Sequence, residues 1–110
     1  MAFKHKELAA GRWFELSLVE QLGNIGSEVS RALRWQNKDM KLFSGAVERA
    51  LELFDLTLED SRWRGRLKEI ARAREVFCDT VFQEGKEYNS SLEDLNRYFF
   101  QFALAARQKI

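Results

Sequence analysis

The chain has 110 residues, 45% hydrophobic and 32% charged, a composition typical of a single globular domain, which we predict over 1–110. Its 18 basic and 17 acidic side chains leave a formal net charge of +1, which argues against a generally basic nucleic-acid binder. The single cysteine excludes an internal disulfide and a cysteine-based zinc site. The sequence shows neither a signal peptide nor a membrane-spanning run, so we expect a cytoplasmic protein without membrane contact.

The first segment, 1–15, mixes polar and apolar side chains, and we interpret it as an arm or short helix that lays Trp13 on the core. Ser17 and Glu20 then have the spacing of a capping box, in which each residue satisfies a backbone N–H of the other. This box opens the first predicted helix, which ends near residue 35. Its buried stripe at helical spacing is Leu18, Leu22, Ile25, Val29 and Leu33.

Two glycines, Gly23 and Gly26, lie along one edge of this stripe. A glycine in a helix interior costs about 1 kcal/mol relative to alanine, so we expect another backbone to approach this edge closely. A merely local weakness of the helix is the alternative. Trp35 lies on the polar side of the same helix, where an exposed tryptophan would be a contact residue unless the arm covers it.

A second helix is predicted from about Met40 to Leu58. Its inward positions are Phe43, Ala46, Val47, Ala50, Leu51, Phe54 and Leu58. The opposite face carries an acidic row with helical spacing, formed by Glu48, Glu52, Asp55 and Glu59. Oxygen ligands of this kind suit magnesium, and like charges in a row also repel one another. The row therefore faces solvent, a protein partner or a metal ion, and we favour solvent.

A cluster of basic and aromatic residues follows the second helix and consists of Arg62, Trp63, Arg64, Arg66 and Lys68. Arginine can bind phosphate and tryptophan can stack on a base, so a nucleic-acid contact is chemically feasible here. We favour the alternative, in which an arginine covers a packed indole.

The third helix is predicted to reach about Phe82, and Arg74 lies in the middle of its apolar stripe. A buried guanidinium requires a compensating acceptor, and we predict a buried or half-buried ion pair with Glu20 or Glu28 of the first helix. Escape of the side chain to solvent at the end of the bundle is the alternative. Cys78 is interpreted as a small core residue.

Overlapping capping boxes at Ser90 and Ser91 predict the start of a final helix. Its apolar residues cover most of the circumference, which is typical of a buried helix. Because Phe100 and Leu104 lie outside its main stripe, we predict a homodimer. The interface would involve Phe100, Leu104 and Trp35, or the first helices paired through Gly23 and Gly26.

Four amphipathic helices with short connections predict an all-α, four-helix up-down bundle with a short N-terminal arm or helix. The runs LSLVEQLGNIGSEV (16–29) and RALRW (31–35) resemble the signature of a family of small bacterial helical proteins. The runs ALELFDLT (50–57), RLKE (66–69) and YFFQF (98–102) continue the likeness. This resemblance implies a helical fold and carries no activity with it.

Two other helical families are similar only in part. Ribonucleases of the HEPN type have an arginine followed four to six residues later by histidine, whereas the one histidine here, His5, has no such arginine. MazG-like nucleotide pyrophosphatases bind magnesium through ExxE and ExxD motifs on neighbouring helices. Glu52 and Asp55 match the second motif, and the first is missing because Glu20 and Glu28 are eight residues apart.

The sequence contains no recognisable catalytic constellation and implies no cofactor. The leading hypothesis is therefore a non-enzymatic helical protein that self-associates and acts through contacts with itself or a protein partner. A magnesium-dependent nucleotide pyrophosphohydrolase and a nucleic-acid-contacting module that uses Arg62 to Lys68 are the alternatives.

Overall fold

The computed structural model describes residues 11–84 and 86–108 and shows a bundle of four α-helices, as predicted. The helices are α1 (Leu18–Trp35), α2 (Met40–Glu59), α3 (Leu67–Phe82) and α4 (Leu92–Arg107). Short 3₁₀ helices precede α1 and α3, at Arg12–Glu15 and Ser61–Arg66. No strand occurs in the described ranges, and none of the helices in them is long and apolar enough to cross a membrane.

Side-chain caps fix where α1, α2 and α4 begin. Ser17 Oγ accepts a hydrogen bond from the Glu20 backbone N–H at 3.2 Å, and Glu20 Oε1 accepts one from the Ser17 N–H at 2.9 Å. The predicted capping box of α1 is therefore confirmed. At the start of α4, Ser91 and Asp94 form the equivalent box, so the second of the two overlapping boxes is the one used.

The core lies where α1 packs along both α2 and α4. The predicted stripe of α1 is confirmed at its centre, since Leu22, Ile25 and Val29 are all buried. The ring centroid of Phe54 from α2 lies 5.8 Å from that of Phe77 on α3 and 5.9 Å from that of Phe99 on α4. Three helices thus meet through aromatic rings.

The glycine edge of α1 faces α4 of the same chain. A Cβ atom at Gly23 would lie 3.3 Å from the Ala103 Cα, and one at Gly26 would lie 2.7 Å from the Phe99 Cβ. The expected close approach of another backbone is confirmed. Because α4 already provides it, the proposed pairing of first helices through these glycines is wrong.

The predicted arm over 1–15 is described only from Gly11 onward, and His5 lies outside the described residues. Trp13 is buried in the core at 1% exposure, as predicted. The indole Nε1 of Trp13 donates a hydrogen bond to Thr57 Oγ1 at 3.0 Å, so this segment is fixed to the end of α2.

The final helix is not buried all round within the chain. Its buried side chains are Leu92, Leu95 and Phe99, which form one face. Phe100 and Leu104 are exposed, because α1 and α3 cover only the two flanks of that face. The other three helices therefore leave part of α4 uncovered, and its coverage by a second copy of the chain stays a prediction.

Candidate interaction surface

The acidic row of α2 does not form a common solvent-facing surface. Glu48 and Glu59 are exposed, but Glu52 is buried and Asp55 is half-buried. The reason is that α2 packs against α1 on one side and α3 on another, so that part of the row turns toward the neighbouring helices. Within 11–84 and 86–108, no three His, Cys, Asp or Glu side chains are grouped so as to hold a metal ion.

Arg74 forms a half-buried ion pair, but with a different partner from those predicted. Its Nε lies 2.9 Å from Asp55 Oδ1, and the two side chains are 34% and 42% exposed. Glu20 contributes to the cap of α1, and Glu28 is buried between two arginines of α1 and α2. The predicted pairing with Glu20 or Glu28 is wrong because Arg74 reaches the α2 carboxylate beside it.

Two members of the basic cluster belong to an internal network. The Arg62 Nη2 donates to Asp60 Oδ2 at 2.7 Å and to the Leu16 carbonyl at 2.6 Å. The Arg62 guanidinium also lies 4.4 Å from the centroid of the Trp63 ring, whose Nε1 donates to Gln21 Oε1 at 2.8 Å. The favoured interpretation, an arginine over a packed indole, is confirmed.

The rest of the cluster, which consists of Arg64, Arg66 and Lys68, is exposed at the start of α3. Arg66 is paired with Glu69 at 3.0 Å, which leaves its charge largely compensated. Arg64 and Lys68 are exposed. Of the nucleic-acid candidates, Arg62, Trp63 and Arg66 are thus engaged in contacts within the chain, whereas Arg64 and Lys68 are exposed.

Gln21 is the centre of a buried polar network that the sequence did not reveal. Its Nε2 donates to the Trp13 carbonyl and to Asp60 Oδ2, each at 3.0 Å. Together with the bond from Trp63, this satisfies the side chain on both its donor and acceptor sides. A polar residue immediately before the buried Leu22 was the available signal. The network joins the first 3₁₀ helix, α1 and the segment after α2.

Asp60 is the charged member of this network. Hydrogen bonds from the Arg62 side chain, assisted by those from Gln21 and the Arg62 backbone, lower the pKa of Asp60 to about 2, against the opposing effect of burial. The carboxylate is therefore ionised at neutral pH and bound on both oxygens. Its hydrogen bonds connect α1 to the segment that follows α2, so we assign it a structural role.

The exposed face of α4 carries two large apolar side chains that the described part of the bundle leaves uncovered. Phe100 is 54% exposed and Leu104, one turn later, is 39% exposed. Glu93 and Arg107 are also exposed, and each lies seven residues from Phe100. Seven residues are close to two helical turns, so all four side chains lie on one face of the helix. We refer to these four residues as the α4 face.

A groove of about 430 Å³ runs between the α4 face and α1. Its walls carry Arg31, Arg34 and Arg107 and no carboxylate. The charge of Arg31 is shared with Glu28, whose Oε2 lies 2.7 Å away. The groove is therefore positively charged, and the α4 face borders it along one side.

Trp35, the third predicted interface residue, lies at the end of α1. Its side chain is half-buried, and its carbonyl accepts hydrogen bonds from the backbone N–H groups of Lys38 and Asp39 in the following turn. Trp35 thus lies at the α1–α2 connection and is not part of the α4 face.

The chain matches no protein-family model, and no curated protein or solved structure is significantly similar to it. The resemblance to small bacterial helical proteins, and the partial likeness to MazG-like pyrophosphatases, rest on the sequence motifs alone. The α4 face must be interpreted from its own geometry and chemistry.

Proposed function

We propose that this protein is a non-enzymatic helical bundle that self-associates and acts through protein contacts. The observation that carries the proposal is the α4 face, where two large apolar side chains stand exposed one turn apart. Burying one such side chain contributes roughly 2–3 kcal/mol, so covering Phe100 and Leu104 in both copies favours association.

A second copy of the chain is the occupant that fits this face. The face carries an acidic side chain, Glu93, at one end and a basic one, Arg107, at the other. Two identical faces with this charge distribution can be complementary to each other, as a two-fold symmetric interface requires.

The association itself is tested by gel filtration coupled to light scattering at tens of micromolar protein. We expect a mass twice that of the 12.9 kDa chain. A mass near 12.9 kDa under these conditions contradicts self-association.

The location of the interface is tested by replacing its apolar side chains. Phe100→Ser combined with Leu104→Ser is expected to give a monomer, because the apolar area buried on pairing is lost. Phe82→Ser is the matched control, since Phe82 is 63% exposed at the end of α3 and lies outside the α4 face. Circular dichroism of both variants checks that the bundle is folded. A folded double variant that remains dimeric would exclude the α4 face as the interface.

A further inference from the structure

We infer that two copies pair through α4 in antiparallel orientation, with Phe100 at the two-fold axis and Glu93 of each copy opposite Arg107 of the other. This inference rests on the proposed self-association and specifies its geometry. It gives the α4 face a partner of defined orientation and register.

Helix geometry determines which residues meet in such a pair. When two identical helices cross antiparallel at Phe100, positions equally distant from it on opposite sides face each other. Glu93 and Arg107 are both seven residues away, about 10 Å along the axis at 1.5 Å per residue. Two ion pairs therefore form, one at each end of the contact. Leu104 of each copy meets Asn96 of the other, which is partly buried beside the groove.

Charge disfavours two competing arrangements. A parallel pair centred on the same residues would place Glu93 against Glu93 and Arg107 against Arg107, and would align the two helix dipoles unfavourably. A shifted antiparallel pair that matches Phe100 with Leu104 would place Arg97 opposite Arg107. Only the antiparallel pair centred on Phe100 brings opposite charges together at both ends.

The charges that this arrangement uses are not engaged elsewhere in the described residues. Asp94 and Arg97, their neighbours on α4, form an ion pair with each other. Glu93 and Arg107 are exposed and form no ion pair within 11–84 and 86–108. They are available to a second copy without breaking an existing contact.

A charge-reversal cycle tests the geometry. We expect Glu93→Arg and Arg107→Glu each to weaken dimerisation by roughly tenfold, because two attractive pairs become two repulsive ones. The double variant exchanges the signs and is expected to dimerise as tightly as the parent. Lys68→Glu, a reversal at an exposed position on α3, is the control and should leave the dissociation constant unchanged. Sedimentation velocity over a concentration series measures the dissociation constants of the parent and the four variants.

The outcomes separate the geometry from the association. If the parent is monomeric throughout the series, both the proposed function and this inference fail. If the parent dimerises and the single reversals have no effect, or the double variant does not recover, only the antiparallel geometry is overturned.

Cross-linking gives an independent check of the orientation in a Cys78→Ser background. Glu93→Cys with Arg107→Cys should form intermolecular disulfides on mild oxidation, whereas Glu93→Cys alone should not. Efficient cross-linking of Glu93→Cys alone indicates a parallel pair and overturns the inference.

Discussion

At the scale of single residues, Asp60 connects segments that are far apart in the sequence. Its carboxylate binds Gln21 of α1 and the side chain and backbone of Arg62, while Arg62 extends the network to the Leu16 carbonyl. The carboxylate is almost inaccessible to solvent, although it lies beside a surface depression rather than at the centre of the bundle. In the folded protein the ionised carboxylate accepts hydrogen bonds from Gln21 and Arg62. In the unfolded chain only water would hydrate it.

We predict a pH-dependent loss of stability for Asp60→Asn. The pKa of Asp60 is lowered from 3.8 to about 2, so its contribution is fully present above about pH 4 and is lost as the pH falls toward 2. The shift corresponds to roughly 1–2 kcal/mol at neutral pH, allowing for the carboxylate's position near the surface. Urea unfolding of parent and variant between pH 7 and pH 2 measures it.

The control for this prediction is Glu59→Gln, which removes an exposed carboxylate one residue earlier. It is expected to change the unfolding free energy little at any pH. A difference between Asp60→Asn and the parent that stays constant down to pH 2 contradicts the assigned role of the ionised carboxylate.

The sequence predicted the environments of some residues and missed those of others. It predicted an ion pair for Arg74, because an arginine inside an apolar stripe requires one, but it could not select Asp55 as the partner. That choice depends on how α3 is rotated against α2, which no pattern within one helix determines. Gln21 was missed for a related reason: its partners come from two segments, one at Trp13 and one after α2, that meet α1 only in the folded chain.

At the scale of elements, the starts of α1 and α4 were predictable because local chemistry sets them. The capping boxes at Ser17 and Ser91 act within one turn, so the sequence contains nearly all the information needed. The exposure of Phe100 and Leu104 was predictable from their positions outside the main apolar stripe of α4. Which flanks of α4 the neighbouring helices cover depends on the tertiary arrangement, which the sequence pattern does not determine.

We predict opposite effects for two glycine-to-alanine substitutions in helices. Gly26→Ala is expected to destabilise the fold, because its Cβ would lie 2.7 Å from the Phe99 Cβ and would force α1 and α4 apart. Gly45→Ala in α2 meets only the flexible end of Arg49, at 3.4 Å, and is expected to stabilise the fold by about 0.5–1 kcal/mol through helix propensity. Thermal and urea unfolding measure both.

Both residues lie inside α-helices, so helix propensity favours alanine at each of them. A difference in stability between the two variants therefore reports the close packing at Gly26. If Gly26→Ala proves as stabilising as Gly45→Ala, the glycine edge is not a packing contact. The distance between α1 and α4 at Gly26 would then be larger in solution than in the structure.

At the scale of the whole molecule, the four helices contribute unequally to the core. α1 lies between α2 and α4 and buries apolar residues along most of its length. α3 packs less extensively on its neighbours, and its buried apolar side chains are Ile70 and Phe77. A helix with few buried contacts opens at lower free energy than the rest of the fold.

We therefore predict that backbone amides of α3 exchange with solvent deuterium faster than those of α1. Hydrogen exchange measured by mass spectrometry at two protein concentrations tests this prediction and the proposed dimer together.

Pairing of two copies through the α4 face predicts that protection of α4 rises with concentration, because opening α4 then requires the dimer to dissociate. Protection of α3 should not change, since it lies outside the proposed contact. Equal exchange in α1 and α3 contradicts the unequal core, whereas concentration-independent exchange in α4 contradicts the dimer.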